Sequence, residues 1–272
     1  MADDLDPVDA SFIARLVPPT PSAYHRLNPL TKAVIATVAS IGAFVLGGYV
    51  GPIAISVAML LAARAAGVAR ALLRASLLLS LPIAVSVVLV SVFTRPGSTV
   101  LFTIGPFDAT LEGVDFAAQT LVRLLTISLS IGLFILTTEA RAFVFDLERR
   151  GVPPRFTFVA LATIEAVPTL VERAATIAES QRARGLDTEG SVRARLRGLL
   201  PLVGPAVITS LTDVEERSLA LESRAFSRPG RRHLLWSMPD SGRERVLRAV
   251  LVLALVAAVA VRVAGFPLPI VG

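Results

Sequence analysis

Ser76-Leu-Leu-Leu-Ser-Leu-Pro-Ile-Ala-Val-Ser-Val-Val-Leu-Val-Ser-Val-Phe93 carries no charged side chain from end to end. A run this long approaches the roughly twenty mostly apolar residues that a helix needs to cross a bilayer. In hydrocarbon the backbone N–H and C=O groups must pair within the segment, so an isolated span is a helix. Similar segments lie at roughly 31–48, 50–66, 117–137 and 246–264. Gly47, Gly48, Gly51 and Pro52 leave only a very short connection between the first two of these. The chain therefore reads as an all-α integral membrane protein with about five transmembrane helices and long amphipathic helices outside them.

Composition agrees. The 272 residues are 54% hydrophobic and 18% charged, against about a quarter charged in a soluble domain, and the mean hydropathy is +0.70. Cysteine is absent, which excludes a disulfide framework and thiolate chemistry. The net charge of +6 comes almost wholly from arginine, since Lys32 is the only lysine. These arginines lie between apolar spans, so retention on the cytoplasmic side explains them better than nucleic-acid binding does.

Loop 64–74 holds Arg64, Arg70 and Arg74, whereas loop 94–116 sets Arg95 against Asp108, Glu112 and Asp115. Segment 139–245 carries most of the remaining basic charge. The positive-inside bias puts the amino terminus, loop 64–74 and segment 139–245 in the cytoplasm, with loop 94–116 and the carboxyl tail outside. Residues 1–30, with Asp3, Asp4 and Asp6, lack the basic start and apolar core of a signal peptide and read as a cytoplasmic tail. Residues 31–137 form a membrane domain of four spans, 138–245 a cytoplasmic or interfacial helical domain, and 246–272 the last span with a short external tail. In loop 94–116, turn signals at Thr94–Ser98 and Gly105–Asp108 flank the β-prone Thr99–Ile104 and predict a small hairpin.

Segment 139–245 is the most specific. A helix starts near Thr137-Thr-Glu139 and stops at Gly151-Val-Pro-Pro154. Arg155–Val167 is apolar but too short to span alone, and Pro168 opens a new helix. On that helix Leu170, Ala174, Ile177, Gln181 and Arg184 share one face, and Gly185 ends it as a left-handed cap. Val192–Ile208 follows, broken by Pro201 and Pro205. A second stripe then runs through Leu211, Val214, Ser218, Leu221 and Ala225. Each helix ends on an arginine between small residues: Ala183-Arg184-Gly185 and Ser223-Arg224-Ala225. Small neighbours leave a long guanidinium unobstructed for an incoming groove, and Glu179 and Glu222 stand five and two residues before it to hold it by local pairing. A cytoplasmic helix also ends in arginine for dipole and topology reasons alone; having two such tips favours docking.

Thr137-Thr138, Gly151-Val-Pro153, Val167-Pro-Thr-Leu-Val-Glu172, Gln181-Arg-Ala-Arg-Gly185 and Leu221-Glu-Ser-Arg-Ala225 follow one another in the chain. That order resembles the transmembrane T components of energy-coupling factor (ECF) transporters, cobalt- and biotin-transporter permease subunits included, over roughly residues 25 to 265. The resemblance implies a non-catalytic scaffold that binds no cofactor. Two cytoplasmic ATP-binding-cassette ATPases, identical or different, would dock on Arg184 and Arg224 and hold ATP and magnesium themselves. A membrane-embedded S component beside the scaffold would bind a vitamin or metal ion. Closure of the ATPases would shift the two helices and tilt the S component. The second motif departs from the usual Ala-Arg-Gly by ending in Ala225, and Glu165 stands where many relatives carry arginine, so it is given no role.

Other candidates carry less. Arg123 lies inside a span and reads as an anchor snorkelling toward Asp115 or Glu112. His25 and His233 read as solvated loop histidines without metal-ligand spacing. Asp213, Glu215 and Glu216 look like an acidic cluster, but Asp213 and Arg217 form an ordinary i,i+4 pair. Trp236 reads as an interfacial anchor near the last span. No Walker-type loop or nucleophile–base set is present. The competing reading is a self-sufficient permease with its own pathway, set back by spans almost free of ionisable residues.

Overall fold

The computed structural model describes residue 22 and residues 24–104, 107–183, 192–226 and 240–264. Within these the chain is helical apart from one hairpin: α1 Pro29–Val45, α2 Val50–Ala65, α3 Ala69–Thr94, β1 Val100–Ile104, β2 Phe107–Thr110, α4 Leu111–Thr137, α5 Ala140–Arg149, α6 Pro154–Ala183, α7 Val192–Ser223 and α8 Gly242–Val263. The all-α membrane class stands.

Four of the described helices, α3, α4, α6 and α8, are long and apolar enough to cross a membrane. The first two expected spans are the shorter apolar helices α1 and α2, of 17 and 16 residues. The expected break at Pro168 is absent, and α6 runs unbroken for 30 residues. Likewise α7 continues through Pro201 and Pro205. A helical proline forfeits one backbone hydrogen bond; at the first of these, Thr169 Oγ1 donates to the Glu165 carbonyl at 3.2 Å beside the gap. The arginine-bearing loop 64–74 contracts to a turn around Gly67, which takes the left-handed φ of 76°. Arg70 and Arg74 therefore sit inside α3.

Local signals set most helix ends. Asn28 caps α1, its Oδ1 accepting from Leu30 N at 3.0 Å, with Pro29 at the first helical position. Thr110 caps α4 by accepting from Gly113 N at 3.1 Å. Gly151, at φ 106°, follows α5 where the sequence placed a stop. The expected hairpin forms, with Thr103 opposite Asp108 and Ile104 opposite Phe107.

The chain divides into two compact units, residues 1–147 with 238–272, and residues 148–237. In the first, α4 packs against α1, α2 and α3, and α8 packs against α1. Leu72, Leu129 and Leu133 are buried at its centre with Ala39, Met59, Ala63, Ala66 and Val68. Lipid is as apolar as leucine, so close approach and polar contacts hold such helices together rather than a hydrophobic driving force. The close approach is visible at Gly113, where a Cβ would stand 2.6 Å from the Ser91 carbonyl oxygen. The polar contact is Ser56 Oγ with Thr126 Oγ1 at 2.7 Å, the latter also donating to the Pro52 carbonyl at 3.1 Å. Leu78 and Leu79, 72% and 71% exposed on α3, belong in lipid. The amino-terminal ends of α1 and α8 meet at Asn28 and Glu244, and Arg262 near the end of α8 donates to Val45 O at 3.1 Å. Those two helices therefore run parallel.

Arg123 donates to Gln119 Oε1 at 3.5 Å, and Gln119 donates to Asp115 Oδ2 at 2.9 Å. It reaches the carboxylate through a glutamine, because Tyr49 also occupies Asp115 and Glu112 is held by Ser98 and Thr99. His25 is half-buried with Ser22 Oγ on Nδ1 at 2.9 Å, so it is not a solvated loop residue. His233 and Trp236 lie outside the described residues.

Gly113→Ala is expected to lower the thermal midpoint in detergent. The backbone clash costs about 1–3 kcal/mol and outweighs a helix-propensity gain of about 1 kcal/mol. Gly204→Ala, with nothing within 4 Å of the new methyl, is expected to hold or raise the midpoint. Fluorescence melts separate the two, and equal shifts would contradict the α3–α4 contact.

Candidate docking site

The second unit contains α6, which ends at Ala183, and α7, which ends at Ser223. Phe158, near the start of α6, packs its ring on Phe226, just beyond the end of α7, with centroids 4.9 Å apart. Further along α6, Arg173 pairs with Asp213, which precedes Phe226 on the other helix. Advancing along one helix while retreating along the other means that the two run antiparallel. The Asp213 pairing corrects the expected i,i+4 contact with Arg217: the carboxylate reaches across to the facing helix. Sequence reading missed Arg173 and Phe158, and an arginine interrupting the apolar face of α6 was the available signal.

The hairpin has little interior. Phe156, Val159, Val167, Val207, Ile208, Leu211, Val214 and Leu219 are all exposed, as is Leu170 on the first stripe. Thr157 is buried, its hydroxyl donating to Glu148 Oε2 at 2.7 Å. Continuous apolar surface on this scale calls for lipid or another subunit.

The second tip is fully described. Ala225 N donates to Glu222 O at 2.9 Å, and Phe226 N to Leu221 O at 3.0 Å. These are the paired bonds of a Schellman ending, which uses a left-handed residue just past the cap. Ala225 supplies it at φ 56°, the only non-glycine with positive φ among the described residues. A Cβ in that conformation costs about 1–2 kcal/mol, so Ala225 does what glycine does more easily. Arg224 sits at the cap and is exposed with Ser223 and Ala225, leaving the guanidinium accessible. Ser223 Oγ donates back to Ala220 O at 2.9 Å. Glu222 supports the tip through its backbone carbonyl, not by the side-chain pairing with Arg224 that the spacing suggested.

At the first tip, Glu179 and Ala183 are exposed on the last turns of α6, which also contain Gln181. Arg184 and Gly185 lie outside the described residues. Ala183 and Ser223, the last residues of their helices, fall at opposite ends of the antiparallel pair. Continuing the register set by Arg173 and Asp213 at ~1.5 Å per residue separates them by about 30 Å.

The family described as "Cobalt transport protein", CbiQ, matches residues 21–234. The chain is similar to the energy-coupling factor transporter transmembrane protein EcfT of Thermosediminibacter oceani, at 29% identity over 217 residues, 76% of this chain and 82% of that protein. The protein of the same name from Heliobacterium modesticaldum is 30% identical over 218 residues, 76% and 81% of the two chains. Its counterpart in Leuconostoc gelidum is 31% identical over 151 residues, 52% and 56%.

Ala225→Gly is expected to stabilise the end of α7 by about 1 kcal/mol, relieving the left-handed alanine. Hydrogen exchange at the Ala225 and Phe226 amides should slow. Ala225→Val should speed it, and unchanged exchange in both would contradict the Schellman ending.

Proposed function

The chain belongs to the CbiQ cobalt transport protein family, and on that premise we propose that it is the energy-coupling scaffold of an ECF-type importer, joining ATP hydrolysis in two partner ATPases to movement of a substrate-binding S component. The observation that carries this reading is the antiparallel hairpin. Its two helix ends, about 30 Å apart by helical rise, are too far separated for one groove and suited to two subunits of a dimer. Ala183, Arg184 and Gly185 form one contact and Ser223, Arg224 and Ala225 the other. Gln181, Glu179 and Glu222 support them.

Each guanidinium would meet carboxylate or carbonyl acceptors in a groove, where its planar fork gives charge-assisted bonds. ATP and magnesium belong to the ATPases, and this chain carries out no chemistry. The exposed apolar faces of α6 and α7 would rest against the S component and the membrane interface. Although α6 has the length of a span, Arg173 pairs with Asp213 on its neighbour. That charged contact suits an interfacial layer better than the bilayer centre. Charge bias along the sequence supports a cytoplasmic amino terminus and an external carboxyl terminus in the plasma membrane. The transported solute, a vitamin or a metal ion, is selected by the S component.

Arg184→Glu combined with Arg224→Glu is expected to abolish co-purification of the neighbouring ATP-binding-cassette subunits from detergent while membrane insertion is retained. Either change alone should weaken retention less, because two contacts on one dimer act multivalently. ATPases held equally by the double variant and the parent would sink the docking assignment and bring the self-sufficient permease forward.

A further inference from the structure

Where α1 begins, the first unit holds a buried polar cluster that docking does not use. Asn28 and Thr31 are fully buried, and Lys32, Asp146 and Arg248 nearly so. Asn28, already capping α1, donates Nδ2 to Asp146 Oδ1 at 3.1 Å. Its backbone N–H donates to Glu244 Oε2 at 2.9 Å, and the same oxygen accepts from Thr31 Oγ1 at 2.9 Å. Glu244 lies in the first turn of α8, capped by Ser241. One carboxylate therefore faces the amino-terminal ends of both α1 and α8, where unpaired N–H groups and the helix dipoles favour negative charge.

The cluster extends on both sides. Arg248, one turn further along α8, donates to Thr31 Oγ1 at 3.0 Å and to both oxygens of Asp240, at 2.8 and 3.1 Å. Lys32 Nζ donates to the Thr137 carbonyl at 2.7 Å and to that of His25 at 3.1 Å. The chain's only lysine thus satisfies a carbonyl left over at the end of α4.

The path of the chain distinguishes this from an ordinary bundle end. Asp146 lies just before the first unit gives way to the second at Glu148, and Asp240 and Glu244 lie just after the return at Met238. The segments leaving and re-entering the bundle are both tied to the single stretch Asn28–Lys32. In such a network each member satisfies its neighbours, so losing one leaves others buried and unpaired.

We propose that Asn28, Thr31, Glu244 and Arg248 form a clasp through which displacement of the α6–α7 hairpin is transmitted to the membrane bundle. They are positioning residues that hold Asp146, just before the hairpin unit, and Asp240 and Glu244, just after it, to the start of α1. The source of the displacement, ATPase closure, rests on the transporter reading above. With the clasp broken, the hairpin moves on loose connections and ATP turnover no longer reaches the bundle.

Because the chain has no cysteine, Ala175→Cys on α6 and Leu253→Cys on α8 supply the two thiols for a spin-label distance measurement. The full chain is examined in nanodiscs, alone and with its ATPases, without nucleotide and with ATP plus vanadate. The parent is expected to give a narrow distribution that shifts on vanadate trapping. Thr31→Val and Glu244→Gln are expected to broaden it without nucleotide and lose the shift, while the ATPases still co-purify and hydrolyse ATP. Thr31→Ser, which keeps the hydroxyl, is expected to behave as the parent. Should Glu244→Gln fail to insert, the two Thr31 variants carry the comparison. Parental width and shift in Thr31→Val overturn the clasp. Failure of the parent to bind ATPases defeats the transporter reading instead, and the nucleotide-free widths still decide the clasp.

Discussion

Arg173 and Asp213 join α6 to α7 part-way along their length, and the antiparallel alignment this pair marks is what separates the helix ends Ala183 and Ser223. The pair is partly exposed, so in water it contributes at most about 1 kcal/mol, and the Phe158–Phe226 contact adds a similar amount, about 0.5–1.5 kcal/mol. Neither would hold two long helices together in solution against the apolar surface they leave uncovered. Apolar surface on this scale is stable only where lipid or another subunit covers it. A helix pair so dependent on its surroundings is well suited to respond to them.

The first unit obeys a different rule. With lipid outside and leucine inside, burial discriminates little, and specificity passes to small residues and polar contacts. Gly113 lets α4 approach the α3 backbone, and Ser56 and Thr126 pair where water is absent. At the α1 end the polar contacts become dense, with Glu244 shared by two helix ends and Lys32 covering the end of α4. Asp146 and Glu244, which flank the hairpin unit in the sequence, are both hydrogen-bonded to Asn28 there.

Much of this was legible in the sequence, for physical reasons. Uncharged runs mark bilayer helices because a charge there is costly, and Asn28-Pro29, Gly151 and the turn signals around Thr99–Ile104 mark ends through local backbone chemistry. The left-handed cap was read at Gly185, and the structure displays the same device at Ala225, where alanine disguises it. What escaped were contacts between residues far apart in the chain. Nothing local to Asp213 indicates Arg173 rather than Arg217, and Asn28 gives no sign of Glu244 more than two hundred residues on. Pro168 misled in the opposite sense: a proline inside a helix forfeits one backbone hydrogen bond but need not end it, and α6 continues through.

The most direct test of the docking account is site-specific crosslinking. In this cysteine-free chain, a benzophenone maleimide is placed at Ala183→Cys or Ser223→Cys and irradiated in membranes co-expressing the adjacent ATPases. The account predicts one ATPase adduct from each site, with both sites together able to capture two ATPase subunits on one chain. Adducts confined to lipid at both positions, with the ATPases present in the membrane, would contradict it.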